Sequence, residues 1–421
     1  MMDRSESDLA PNGRAIQLVI GIVCMVMIAN LQYGWNLFVE PMSKAQHWSR
    51  TEIAGAFSLF VLTETWLVPV EGWFVDRFGP RIVVMVGGIL VALAWALDSI
   101  ATSLPMLYAG AVISGIGAGA VYGTCVGNSL KWFVGKRGLA AGLTAAGFGA
   151  GTALTVVPIH SVIVNYGYRS AFLWFGLAQG LIILIASQLL RKPPVMANLH
   201  AAPANPQAAR SFAPLEVLAT PLFWVLYVMF VLVATGGLIV TALFASIAGD
   251  FGVASAPISL LGIAGTVLTA GLVVNNILNG LARPFFGAIS DRMGREPTMF
   301  MVFLLNAAAS WSLWRFGPDP VLFVVCSGAI YFTWGEIYSL FPSTCTDAFG
   351  LQYATTNAGM LYTAKGTASL LVTLAAMLAV TPKDWQTVLA LGAVMNVVAA
   401  FMALLILKPM RRTFSIVPRN G

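Results

Sequence analysis

Apolar runs of about 20 residues recur along this chain, and their length leaves few folds open. The hydrocarbon layer of a bilayer is ~30 Å thick, which roughly 20 helical residues cross. In lipid every backbone N–H and C=O must be satisfied within the protein, so only helices and closed barrels span it. Long runs without strict alternation specify helices. Six lie near 15–39, 53–75, 82–101, 106–130, 138–162 and 168–190, and six more near 222–248, 259–289, 297–314, 320–345, 353–380 and 386–407. Residues 191–221, between the two sets, are rich in Pro and Ala and hold no sustained apolar period, which marks a linker. The expected fold is an all-α membrane protein with twelve transmembrane helices in two six-helix bundles. Its expected parts are an N-terminal half at 1–190, a cytoplasmic linker at 191–221 and a C-terminal half at 222–421. Composition agrees: 58% of the 421 residues are hydrophobic and 10% charged, against about 25% charged in an average soluble domain. The mixed charges in 1–14 and the length of the run after them predict a retained first span rather than a cleaved leader.

The formal net charge is +6. No basic cluster interleaves with aromatics, so the excess predicts loop residues that set topology rather than a nucleic-acid surface. With both termini cytoplasmic and the chain in the plasma membrane, sixteen Lys and Arg fall in inside segments and five outside. All but two of the 23 are then placed. The two left over, Arg283 and Lys365, lie within spans. Cys24, Cys125, Cys326 and Cys345 sit in apolar runs and predict small buried side chains. His47, His160 and His200 are too scattered for a metal site. GIGAGAVYG at 115–123 lies within a span and follows no strand, so Gly119, Gly123 and Gly127 predict close helix packing, not a nucleotide loop. No nucleophile–base constellation is present, which argues against an enzyme, and nothing requires a cofactor.

Ionisable residues in spans are costly and usually face a cavity or a partner. Asn275, Asn279 and Arg283 are four apart and make one polar stripe, drifting about 40° per step. Snorkelling to the near interface is the alternative for Arg283, and the Asn stripe weighs against it. Lys365 lies about 18 Å from the near end of its span, beyond a lysine's reach. The alternative to a substrate role for it is a buried ion pair with Glu336. Tyr331, Trp334, Tyr338 and Phe341 fall on one face of span ten, as a cavity wall or as ordinary core, with Glu336 roughly opposite. Gln32, Tyr33, Trp35 and Asn36 in span one, and Tyr122 and Asn128 in span four, are further polar or amphipathic candidates. Glu64 and Glu71 share a face of span two. Glu64 is a candidate for proton coupling, or a hydrogen-bonded structural group. Glu71 is close enough to Asp76 to be interfacial.

A repeat joins the two halves. Gly72, Asp76, Arg77, Gly79 and Arg81 follow span two, and Gly287, Asp291, Arg292, Gly294 and Arg295 follow span eight, 215 residues later by their first glycines. This GxxxDRxG pattern resembles the loop motif of the major facilitator superfamily. The glycines permit close helix approach. The Asp can accept hydrogen bonds from a neighbouring helix N-terminus, and the Arg residues are expected to hold the loop at the inner face. The resemblance implies a cavity between the halves and alternating access.

Further stretches are similar to the oxalate/formate antiporter family within that superfamily: LQYGWNLF at 31–38, FVDRFGPR at 74–81, KWFVGKRGLAAGLTAAGFG at 131–149, NGLARPFFGAISDRMGR at 279–295, YFTWGEIYSLFPSTCTDAFG at 331–350 and TAKGTASL at 363–370. The family's two substrate-binding cations fall on Arg283 and Lys365, and its cavity residues on Gln32, Tyr33, Tyr122, Trp334 and Tyr338. The resemblance implies exchange of small carboxylates such as oxalate and formate; because one chain holds a complete twelve-helix unit, it is expected to work as a monomer. Arg supplies a planar fork and Lys a point charge for such anions. Two unpaired cations also resist closure of an empty cavity, which favours exchange. The chain departs from the family in carrying Glu64, Glu71 and Glu336 where the pattern has an amide and glycines. That keeps a proton-coupled monocarboxylate symporter as the alternative. A transporter-like receptor would carry a long extra tail or loop for a partner, which the sequence does not show.

Overall fold

A computed structural model describes residues 11–193, 211–260, 262–378 and 384–416. The ends of the chain, most of the expected linker (194–210, with His200) and 379–383 lie outside the described residues. The elements are α1 (Pro11–Tyr33), α2 (Asn36–Gln46), α3 (Arg50–Trp66), α4 (Val68–Phe78), α5 (Pro80–Ser99), α6 (Leu104–Trp132), α7 (Arg137–Tyr166), α8 (Tyr168–Ser187), α9 (Pro214–Leu218) and α10 (Pro221–Asp250). A short hairpin of β1 (Pro257–Leu260) and β2 (Ile263–Thr266) follows. Then come α11 (Val267–Met293), α12 (Arg295–Phe316), α13 (Pro320–Trp334), α14 (Ile337–Phe349), α15 (Ala354–Leu378), α16 (Asp384–Met402) and, after a π turn, α17 (Lys408–Ile416). Among the described residues nine helices are long and apolar enough to cross a bilayer.

Local chemistry sets these boundaries. Proline opens α5, α6, α10 and α13 within their first turns, where its missing N–H costs nothing. Ser49 and Glu52 form a capping box at α3. The last glycine of each loop motif ends a helix in the left-handed region: Gly79 (φ 97°) after α4 and Gly294 (φ 96°) after α11. The repeat is therefore structural at its turn as well as in its charges.

Four expected spans differ from the structure. Span one is interrupted at Gly34–Trp35, and span two at Leu67, just before Pro69. Span ten is divided at Gly335–Glu336, where both residues keep right-handed helical angles, and Tyr331, Trp334 and Tyr338 remain in successive ring contact. Span eight does not begin at 259. Residues 257–260 and 263–266 pair as antiparallel strands, Gly262 turns with φ 79°, and Thr266 caps α11 through the Thr269 N–H at 3.2 Å. Apolarity there disguised a β-branched, glycine-turned hairpin.

The helices up to residue 187 pack among themselves, chiefly α5 with α6 and α8, α3 with α6, and α1 with α7. Those from 221 onward do likewise, chiefly α12 with α13 and α16, α11 with α13, and α10 with α15. Two seams join the groups: α7 on α11, and α3–α4 on α15. Small residues set both. A Cβ on Gly72 would lie 2.9 Å from Thr356 Cα, one on Gly359 2.8 Å from Val68 Cγ1, and one on Gly280 2.9 Å from the Ala150 N. Gly280→Leu should therefore push α11 off α7. Overpacking of this kind costs about 1–3 kcal/mol, which a fall in the thermal midpoint of the purified protein would report; an unchanged midpoint would mean that the seam yields freely.

Candidate functional site

Arg283 lies in α11 with no solvent exposure. It does not snorkel. Its Nη1 donates to the Ala145 carbonyl at 2.7 Å, and its Nη2 to Asn279 Oδ1 at 2.7 Å and to the Tyr33 hydroxyl at 3.3 Å. The guanidinium stacks over Tyr338 at 4.4 Å from the ring centre. All these acceptors are neutral. Asn279 also donates to the Tyr331 carbonyl at 3.1 Å, and Asn275 to Ser327 at 3.1 Å. The polar stripe thus partly pins α11 to α13 rather than lining a cavity throughout.

Lys365, in α15, is equally buried. Its ion-pair partner is Glu64, at 2.8 and 3.1 Å, and not Glu336. Its Nζ also donates to Gln32 Oε1 at 2.9 Å and to Tyr362 at 3.0 Å, and the Tyr362 hydroxyl reaches Glu64 at 3.1 Å. Among the described residues Glu336 forms no ion pair, and neither carboxylate oxygen of Glu71 has a hydrogen-bond partner. Glu71 is turned toward Gly119 of α6, where a Cβ would lie 3.0 Å from its Oε2, and is not simply interfacial.

Aromatic rings close the box around the two cations. Tyr122 stacks on Tyr362 (4.7 Å, 13°), Phe148 meets Tyr33 and Tyr122 edge-on, and Tyr338 meets Trp334 and Tyr362. Lys365 Nζ lies 5.2, 5.7 and 5.8 Å from the centres of Tyr362, Phe148 and Tyr338, near enough for cation–π attraction. Several donors in or beside this box are buried without an acceptor in the protein: Arg283 Nε, Gln32 Nε2, Tyr338 Oη and Trp334 Nε1. Buried donors are normally satisfied, and this set of donors is chemically complementary to an anionic acceptor.

Of the residues singled out in the sequence, Gln32, Tyr33, Glu64, Tyr122, Arg283, Trp334, Tyr338 and Lys365 come together here. Trp35 packs on Phe172 instead, and Phe341 stacks on Phe230 at 4.5 Å. Asn128 lines a separate cleft beside Asp76 and Lys131. Tyr362 and Phe148 were missed. Tyr362 precedes Lys365 by three residues, a spacing that places both on one helix face; Phe148 carries no such signal.

The loop motifs close one end of the seam. Asp76 accepts from the Thr356 N–H at 3.0 Å and its hydroxyl at 2.6 Å, near the start of α15, and pairs with Lys131. Asp291 accepts from the Gly138 and Leu139 N–H groups at 3.0 and 2.9 Å, at the start of α7, and pairs with Arg295 at 2.7 Å. Each acid caps a helix in the opposite group, as the helix dipole favours. Asp347 bridges Arg137 (2.7 Å) and Arg295 (3.0 Å) across the seam. Arg295 is thus a buried partner of two acids, whereas Arg77 lies exposed over Trp73 at 5.2 Å, and Arg292 is exposed. Arg81 donates to Gln188 at 3.0 Å through Nε.

The family model of the Major Facilitator Superfamily matches residues 19–373. The chain belongs to the major facilitator superfamily. An oxalate:formate antiporter of Oxalobacter formigenes is 35% identical over 401 residues, covering 95% of this chain and 93% of that one. Monocarboxylate transporter 11 of Mus musculus is 30% identical over 187 residues, 43% of this chain and 42% of that protein. The solved proton:xylose symporter XylE shares the superfamily fold, with a TM-score of 0.70 at 13% identity over 94% of this chain and 96% of its own. The superfamily's helical fold and the observed helices agree. Within it, the box lies where α7, α11, α3 and α15 meet, at the seam of the two helix groups.

Proposed function

We propose that this member of the superfamily exchanges small carboxylate anions, of the oxalate/formate type, by alternating access. The observation that carries this is the box: two fully buried cations, walled by aromatics, with donors left unsatisfied. Arg283 is the principal anion ligand and Lys365 the second cation, with Gln32, Tyr33, Tyr122, Trp334 and Tyr338 shaping the cavity. The antiporter relative covers nearly the whole chain and supports the substrate class. Residues 1–190 and 222–421 act as the two rocking halves, joined by 191–221. The loop-charge asymmetry supports a plasma-membrane orientation with both termini cytoplasmic, and the site needs only one chain, consistent with a monomer.

Anion binding stabilises by mass action, by about 2.7 kcal/mol at a hundredfold excess over Kd. Thermal unfolding of the detergent-solubilised protein with oxalate, formate, acetate and lactate should show a dose-dependent rise for at least one. No shift with any of them removes the reading. The Glu64–Lys365 pair favours a second reading, proton-coupled monocarboxylate symport through Glu64. Uptake into proteoliposomes driven by an inward proton gradient, with no anion inside, separates the two.

A further inference from the structure

Three charged side chains meet in the box, and they do not stand in equivalent positions. An ammonium group has three N–H donors, and Lys365 already faces four acceptors: both oxygens of Glu64, Gln32 Oε1 and the Tyr362 hydroxyl. It has no donor to spare. Arg283 makes three hydrogen bonds to neutral oxygens and keeps Nε without an acceptor. Among the described residues neither Glu71 nor Glu336 forms an ion pair with Arg283 or Lys365, although Glu336 lies within electrostatic reach of Arg283. Arg283, Lys365 and Glu64 together carry one positive charge in excess, and that charge sits on Arg283.

We propose that Glu64 is an internal carboxylate that occupies the Lys365 subsite and thereby restricts the substrate to an anion with a single carboxylate group. This rests on the carboxylate reading above. One carboxylate on Arg283 brings the box to neutrality. A second carboxylate on the same molecule would have to displace Glu64 from Lys365 or remain beside it, where like charges in a low-dielectric site repel strongly. The neutral donors of Gln32 and Tyr338 then orient the bound group without adding charge.

The test compares ligand-induced thermal stabilisation of the full chain with acetate and oxalate as probes. In the wild type acetate should act at lower concentration than oxalate. Glu64→Gln frees Lys365 and adds a unit of positive charge, so the oxalate-to-acetate affinity ratio should rise at least about tenfold. Lys365→Gln strands Glu64 and should lose the acetate response. The double variant Glu64→Gln/Lys365→Gln, with the box again at one positive charge, should recover part of it. A wild-type preference for oxalate, or a ratio that Glu64→Gln leaves within twofold, overturns the proposal while the carboxylate reading stands. A double variant no better than Lys365→Gln also overturns it, because Lys365 itself would then hold the substrate. No response of the wild type to any carboxylate overturns both.

Discussion

Arg283→Gln should abolish carboxylate-dependent stabilisation and exchange while leaving the unliganded protein as stable as before. Removing one partner of a buried charge-assisted contact costs about 2–5 kcal/mol of binding, roughly 30- to several-thousand-fold in affinity. Gln retains a polar head but neither the charge nor the fork. Folding should not suffer, because no acid holds Arg283; its acceptors are the Ala145 carbonyl, Asn279 and Tyr33. A buried cation without a counterion is weak ground for stability. Arg283→Lys should fall between, keeping the charge and losing the planar geometry over Tyr338. The decisive combination is a thermal midpoint that holds without ligand and no longer moves with it. If Arg283→Gln still responds to formate or oxalate at wild-type concentrations, the anion does not bind at Arg283.

Asp347→Ala should open the end of the seam closed by the loop motifs. Asp347 touches arginines of both helix groups, at 2.7 Å to Arg137 and 3.0 Å to Arg295. These groups are partly solvated, so each lost charge-assisted contact is worth about 1–3 kcal/mol. Set against a closed and an open state of similar energy, that shifts the balance about ten- to a hundredfold. Cys345 reports the change: it is buried in α14, two residues before Asp347, and free. With Cys24, Cys125 and Cys326 replaced by Ser, a membrane-impermeant maleimide should label it much faster in the Asp347→Ala protein. Equal rates would mean that the helix caps at Asp76 and Asp291 hold this end alone.

Sequence reasoning reached Arg283 and Lys365 because a charge within a span has no topological role, which is a one-dimensional property. The aromatic and amide residues around them followed from the family resemblance. The partners were harder. Glu64 and Lys365 are 301 residues apart, and no local pattern pairs them. The apparent candidate, Glu336, lies nearer to Lys365 in sequence, but the packing of α3 on α15 brings Glu64 there instead. The hairpin at 257–266 escaped because its residues are as apolar as a span, so hydropathy could not separate strand from helix. Asp347 escaped for the opposite reason: an acid at a helix end looks like any solvated loop charge until its two arginines are known.

The charged residues of the box, Glu64, Arg283 and Lys365, lie within α3, α11 and α15. On insertion scales a central Arg or Lys costs about 2.5–3.5 kcal/mol, whereas each Leu or Ile returns roughly 0.3–0.6. One such cation cancels the contribution of several leucines. These segments have little claim on lipid by themselves and gain their place from the helices around them. Their entry into the bilayer and their assembly into the bundle are then a single event, and the order in which neighbouring helices leave the translocation machinery becomes part of how the site is made.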